Sequence, residues 1–369
     1  MNLKKVIGFA LMLAVGGFVG FFVGKFLVKE ALDGLTKNHL FGLLALLIPI
    51  FFFVIGFHEL GHAFLGKIVG FEFKMYVVGP LLIEKNQSGI DIKLNKNFNL
   101  FGGLVISLPT NSENLKNRFS WYAAGGPLFS LLLVLLAIAI IYAIPSDFIF
   151  LILLCKMTAF FSGLIFVATM IPIKSGGFHT DGARILRLQT KGEIADLEVM
   201  TLSIIAKTSS NLRPRDLEIE EVKTAMTLAA KHKDTYEVYL IGYLFQAQFD
   251  KGLISEAKET LDIYLEKIVQ VPVALQGSVW LDASFFYGYA LNDLEKAKDY
   301  FALFKPNNFI PKAQILITEA MISILEKQKV NALDKVALAE KELKNMIDQG
   351  LAEAYNDRLA DMKNRISEF

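Results

Sequence analysis

Apolar positions along the chain gather into four long runs before residue 175 and into short amphipathic stripes after it. The runs are 6–24, 40–57, 119–146 and 148–173. Each is long enough to cross a bilayer as a helix. The first three hold no charged residue, and the fourth holds only Lys156, placed to snorkel toward the outer interface. The first run follows the basic start "MNLKK", as a signal peptide would. It lacks a small-residue cleavage site, and Gly16, Gly20 and Gly24 are spaced for close helix contact, so it reads as a retained span. In segment 71–120, "KMYVVGPLLIEK" and "GIDIKLN" read as two strands around the turn "NQSG", a short β-hairpin insertion.

After residue 190 the pattern becomes amphipathic helix without spans. "ISEAKETLDIYLEK", "LEKAKDYFALFKP" and "LDKVALAEKELKN" align, with Ala257, Ala297 and Ala339 in register about 40 apart. Small residues at a fixed place in helical hairpins predict an α-solenoid resembling tetratricopeptide repeats. The predicted fold class is thus mainly α: a polytopic helical membrane domain of about four spans with a short β-hairpin insertion, plus a C-terminal cytoplasmic α-helical repeat (TPR-like) domain. The expected divisions are 1–38, an N-terminal span and outer loop; 39–190, the membrane core; and 191–369, the helical repeats.

Charge sharpens this division. Residues 1–190 carry 16 basic and 9 acidic side chains, and residues 191–369 carry 22 and 28. A basic membrane half is joined to an acidic, soluble-looking half, and no basic cluster points to nucleic acid. With a cytoplasmic N-terminus, 12 Lys/Arg of the loops lie inside and only Lys25, Lys29 and Lys37 outside. The positive-inside rule therefore places both termini of this multi-pass chain in the cytoplasm. The lone Cys155 excludes an internal disulfide.

The second run does not end cleanly. It passes into His58-Glu59-Leu60-Gly61-His62, and the apolar pattern resumes with Ala63, Phe64 and Leu65. On a helix, His58 and His62 leave the same face, the geometry two imidazoles need to share one Zn2+. Glu59 stands beside them, where it can take a proton from a water held by the metal. Ionisable groups at membrane depth cost roughly 2.5 kcal/mol or more each, which favours a functional reason for three of them together. A catalytic zinc needs a third protein ligand. "MIPIKSGGFHTDGARIL" offers Asp181 as the natural one, after Pro172 breaks the fourth span, and His179 as a rival. His39 and His232 read as ordinary polar residues.

His58-Glu59-Leu60-Gly61-His62, Gly125-Gly126-Pro127 and Asp181-Gly182 together resemble, in order and rough spacing, the site-2 protease family of intramembrane zinc metalloproteases. The resemblance covers about residues 40–190. It implies hydrolysis of a peptide bond within or beside a substrate's transmembrane segment, with His58, His62 and Asp181 as metal ligands and Glu59 as base. Thr169 and Ser130 stand where many relatives carry asparagines that hold substrate backbone. The expected partners are the lipid bilayer, a membrane-protein or signal-peptide-like substrate, and a cytoplasmic protein at the C-terminal repeats. Three other readings compete. One is a catalytically silent membrane adaptor working through its repeats. Another is a metal transporter, for which no chain of ligands crosses the spans. The third is a prenyl-protein-processing type of protease, which would need a downstream glutamate such as Glu84 or Glu113.

Overall fold

The computed structural model describes residues 37–369 apart from 87–88, 96–101, 176–177, 210–211, 308 and 347. The predicted span at 6–24 lies outside the described residues. Among the described residues, three helices are long and apolar enough to cross a membrane: α1 (Lys37–Ile68), α2 (Leu115–Ala143) and α3 (Ile149–Met170). These are the second, third and fourth predicted runs. The chain divides into two compact units, one of residues up to His58 with Pro127–Ala168, the other of Glu59–Gly126 with Thr169–Phe369.

In the first unit, most of the helical surface is apolar and faces outward, as lipid contact requires. What holds the helices together is ring packing and small polar residues. Phe51 meets Phe161 edge-on at 6.0 Å, and Phe57 lies 5.4 Å from Phe129. Buried Ser162 donates to the Ser130 carbonyl at 2.8 Å.

The second unit opens with a sheet larger than the expected hairpin. Strands β1 (Phe71–Val78), β2 (Leu81–Asn86), β3 (Gly89–Leu94) and β4 (Leu104–Pro109) pair antiparallel in the order β3-β2-β1-β4. The stretch read as one strand is two. Gly79 takes a left-handed φ of 52°, and with Pro80 it turns the chain between β1 and β2. The fourth strand, "LVISLP", alternates half-buried and buried positions, a half-buried strand pattern that sequence reading passed over. β3 is exposed along its whole length, and among the described residues no strand pairs with its outer edge.

A two-residue pair, β5 (Lys174–Ser175) with β6 (Phe178–His179), leads into α4 (Asp181–Gln189) and α5 (Glu193–Ser209). The tail continues as α6 (Ile219–Lys231), α7 (Tyr236–Asp250), α8 (Ile254–Glu266), α9 (Val273–Leu291), α10 (Leu294–Leu303), α11 (Lys312–Leu325), α12 (Lys329–Leu343) and α13 (Gln349–Ser367). Antiparallel pairs α7/α8, α9/α10 and α11/α12 share one turn. Gly252, Asn292 and Lys327 adopt left-handed backbone there, and the next amide bonds back to the preceding helix. Five residues beyond each turn sit Ala257, Ala297 and Ala332, all fully buried. The structure thus matches Ala332, not Ala339, to the first two. Ala339 is also buried, but seven residues further along α12.

Candidate metal centre

His58 and His62 lie one turn apart on α1 and are 5% and 8% exposed, whereas Leu60 between them faces out. Each ring is held by its Nδ1. His58 Nδ1 lies 2.9 Å from Ser130 Oγ, and His62 Nδ1 lies 2.8 Å from the Tyr122 carbonyl. A carbonyl only accepts, so His62 carries its proton on Nδ1 and its Nε2 keeps a lone pair. The Gly126 amide approaches the same Nδ1 at 3.3 Å, but the shorter contact sets the tautomer. His62 Nε2 points to Asp181 Oδ1 at 3.5 Å. One ligand atom from each of His58, His62 and Asp181 falls within 4.8 Å of the others.

Glycines make this convergence possible. A Cβ on Gly125 would sit 2.3 Å from the Gly61 carbonyl oxygen, so α1 and α2 touch backbone to backbone one residue from His62. A Cβ on Gly66 would press on the Tyr122 ring at 3.0 Å. Gly182 lies against the carbonyl of Met170, where a Cβ would stand 2.0 Å from the oxygen. Asp181 is placed by its neighbour Thr180, the N-cap of α4. Thr180 Oγ1 accepts from the Ala183 amide and donates to the Ile171 carbonyl at 2.8 Å, closing the β5–β6 loop at its base. The aspartate therefore starts its helix at a fixed point.

The donor set fits a metal ion. Two imidazole nitrogens and a carboxylate oxygen are a set that catalytic zinc uses. Two ligands about 2.0–2.1 Å from a tetrahedral ion stand about 3.3 Å apart. The 3.5 Å from His62 to Asp181 is close to that edge and long for a hydrogen bond. Ser130 and the Tyr122 carbonyl occupy the outer positions that orient metal-binding imidazoles.

The rival ligands go elsewhere. His179 Nε2 lies 3.9 Å from Asp234, and its ring meets Tyr236 edge-on. His232 pairs with Glu193 at 2.8 Å. His39 lies in the first turn of α1, in the part whose side chains are outside the described residues. Glu84 pairs with Lys93, and Glu113 is exposed in the turn before α2. Ser130, flagged only as a departure from an asparagine pattern, contacts a ring nitrogen of His58. The Tyr122 contact is made by backbone, so no side chain announces it.

Glu59 is half-buried beside the histidines. Its charge reaches Tyr76 on β1, whose hydroxyl is pushed up to about 12, first by burial and then by Glu59. The sheet therefore adjoins the glutamate. Tyr122 Oη fixes it further by donating to the Val105 carbonyl of β4 at 3.0 Å.

No curated protein and no solved structure matches the chain. The profile of peptidase family M50, a metallopeptidase family of membrane-embedded proteins, matches residues 46–355. That span takes in the candidate ligands, the sheet and most of the tail, and the chain belongs to peptidase family M50.

Proposed function

We propose that the chain is an intramembrane zinc endopeptidase that hydrolyses a peptide bond in or beside a transmembrane segment of its substrate. The observation that carries this reading is the convergence of His58, His62 and Asp181, with both rings braced at Nδ1. Zinc held by these three residues would supply Lewis acidity, polarising the scissile carbonyl and making water acidic enough to attack near neutral pH. Glu59 takes the proton that the attacking water sheds as the new C–O bond forms. It returns that proton to the amide nitrogen as the C–N bond breaks. Family membership supports this reading over an adaptor.

A transmembrane helix must unwind before its peptide bonds are accessible. β3 offers an open edge, with Ile90, Ile92 and Leu94 exposed on one face. A substrate segment added there would satisfy its freed backbone groups by strand pairing. The loop charges place the termini in the cytoplasm. The hairpins of the tail form a TPR-like solenoid that meets a cytoplasmic protein.

The test is Glu59→Gln in the full-length protein. Loss of a general base predicts a fall in cleavage of about 10²–10⁴-fold. Zinc by elemental analysis should stay at one per chain. Cleavage at the wild-type rate by a zinc-loaded Glu59→Gln chain sinks the reading.

A further inference from the structure

A cavity of about 830 Å3 lies within the second unit, between the sheet and the tail helices. That is the size of small-ligand sites. Strands β1–β3 form one wall, with Met75 and Leu82 at its base. Helices α7, α8, α9 and α11 form the other. Gly242 on α7 lets the Tyr264 ring pack close in this wall, since a Cβ there would press on Tyr264 Oη at 3.1 Å.

The cavity's charge is unbalanced. Its lysines are already paired: Lys93 with Glu84 at 2.7 Å, Lys85 and Lys74 with Glu72, and Lys312 with Glu342 at 3.9 Å. Asp282 and Asp348 have no cation within salt-bridge distance among the described residues. Asp282 Oδ1 accepts from Gln246 Nε2 at 3.0 Å and from Gln314 Nε2 at 2.8 Å. Two further buried polar atoms on the same wall, Gln246 Oε1 and Tyr239 Oη, have no hydrogen-bond partner among the described residues. A carboxylate without an ion-pair partner thus lines the same wall as a carbonyl oxygen and a phenol oxygen that lack hydrogen-bond partners. Unsatisfied buried acceptors are costly, and a cation that fills them relieves the cost. The tyrosine rings on these walls add faces that attract an ammonium or guanidinium. Burial pushes the Asp282 carboxyl up to about 7, against the two glutamine bonds and the charge of the Arg358 guanidinium, which hold it down.

The sheet supplies the route. Asp91 and Lys93 of β3 line the cavity. A strand added to the open edge of β3 would alternate its side chains between the two faces, so every second one would stand over the cavity. We propose that the cavity is a specificity pocket for a lysine or arginine side chain of the peptide held along β3. Asp282 is its counter-ion, and Gln246 Oε1 and Tyr239 Oη are further acceptors. The proposal rests on the reading of the chain as a peptidase that takes its substrate by strand addition. It selects substrates with a basic residue flanking the cleaved segment on the cytoplasmic side, where membrane proteins concentrate lysine and arginine.

The experiment uses full-length Glu59→Gln protein in detergent micelles and a fluorescent peptide of alternating valine and threonine with one central lysine. Anisotropy titration compares it with the same peptide carrying acetyl-lysine. A charge-assisted contact predicts about tenfold tighter binding of the lysine peptide. Asp282→Asn should reduce that difference below about twofold. Hydrogen exchange across α9 checks that this variant remains folded, and the lysine against acetyl-lysine comparison stands without it. Equal affinity for the two peptides, or a preference retained by folded Asp282→Asn, overturns the pocket. If wild-type protein still hydrolyses substrate in that case, only the pocket falls. A lysine preference without hydrolysis upholds the pocket and removes the enzyme reading instead.

Discussion

Ser130→Ala removes the hydroxyl that holds the His58 ring at Nδ1 while leaving every candidate ligand in place. Loss of such an outer contact typically costs 10–100-fold in metal affinity, so zinc should leave the variant to a competing chelator at about 10–100-fold lower chelator concentration. Unchanged zinc affinity would mean that Ser130 merely fills space. At the residue scale the sequence points to candidates without showing what positions them. His58, Glu59, His62 and Asp181 were legible because ionisable groups stand out against an apolar helix, and helical spacing fixes which share a face. His179 and Asp181 could not be separated by spacing. What separates them is Thr180, whose cap aims Asp181 into the site, and Asp234, which draws His179 away. Gly61, Gly125 and Gly182 were legible as motif letters but not as reasons. Only the backbone contacts show that a Cβ on Gly125 would collide with the Gly61 carbonyl and one on Gly182 with the Met170 carbonyl.

At the level of elements, α4 is nine residues long, too short to persist by its own helical propensity, yet it begins with a candidate metal ligand. Tertiary contacts to α5 and α7 hold it. Arg187 reaches Glu198 at 2.7 Å and Asp234 at 2.9 Å, Tyr236 Oη donates to Glu198 at 2.6 Å, and Glu198 is fully buried. Glu198→Ala leaves Arg187 half-paired and Tyr236 without its acceptor, a loss on the order of 2 kcal/mol. Amides of α4 should exchange about 30-fold faster at that cost, and zinc should dissociate faster while His58 and His62 are untouched. Glu198→Gln, which still accepts from Tyr236, should recover part of the protection. Exchange of α4 at the wild-type rate in Glu198→Ala would show that the clamp does not hold the helix. None of these partners was readable beforehand, because a buried ion pair between residues 187, 198 and 234 leaves no periodic trace. Strands fared similarly. The β-hairpin expectation merged β1 with β2 because their apolar runs are continuous, although Gly79-Pro80 marks the turn, and it stopped before β4.

On the scale of the whole molecule, spans and amphipathic helices were legible because lipid and water impose opposite patterns on the same chain. The cavity was not, since its walls come from strands near residue 80 and helices two hundred residues later. Its pH dependence follows from the groups that face Asp282. Gln246 and Gln314 do not titrate, and Arg358 and the protonated lysine of the probe keep their charge through neutrality. Asp348, raised to about 6 by burial, ionises slightly earlier. Asp282 ionises near 7, and a bound cation favours its ionised form, so binding lowers its pKa and affinity rises with pH. Between pH 6 and pH 8 the ionised fraction of a group with a pKa near 7 climbs from about 10% to about 90%. The lysine peptide should therefore bind about ninefold more tightly at the higher pH, while the acetyl-lysine peptide changes little. Asp282→Asn should leave only the smaller rise due to Asp348, centred about one pH unit lower. A lysine-peptide affinity that stays level from pH 6 to pH 8 would show that no carboxylate in the cavity changes charge beneath the bound side chain.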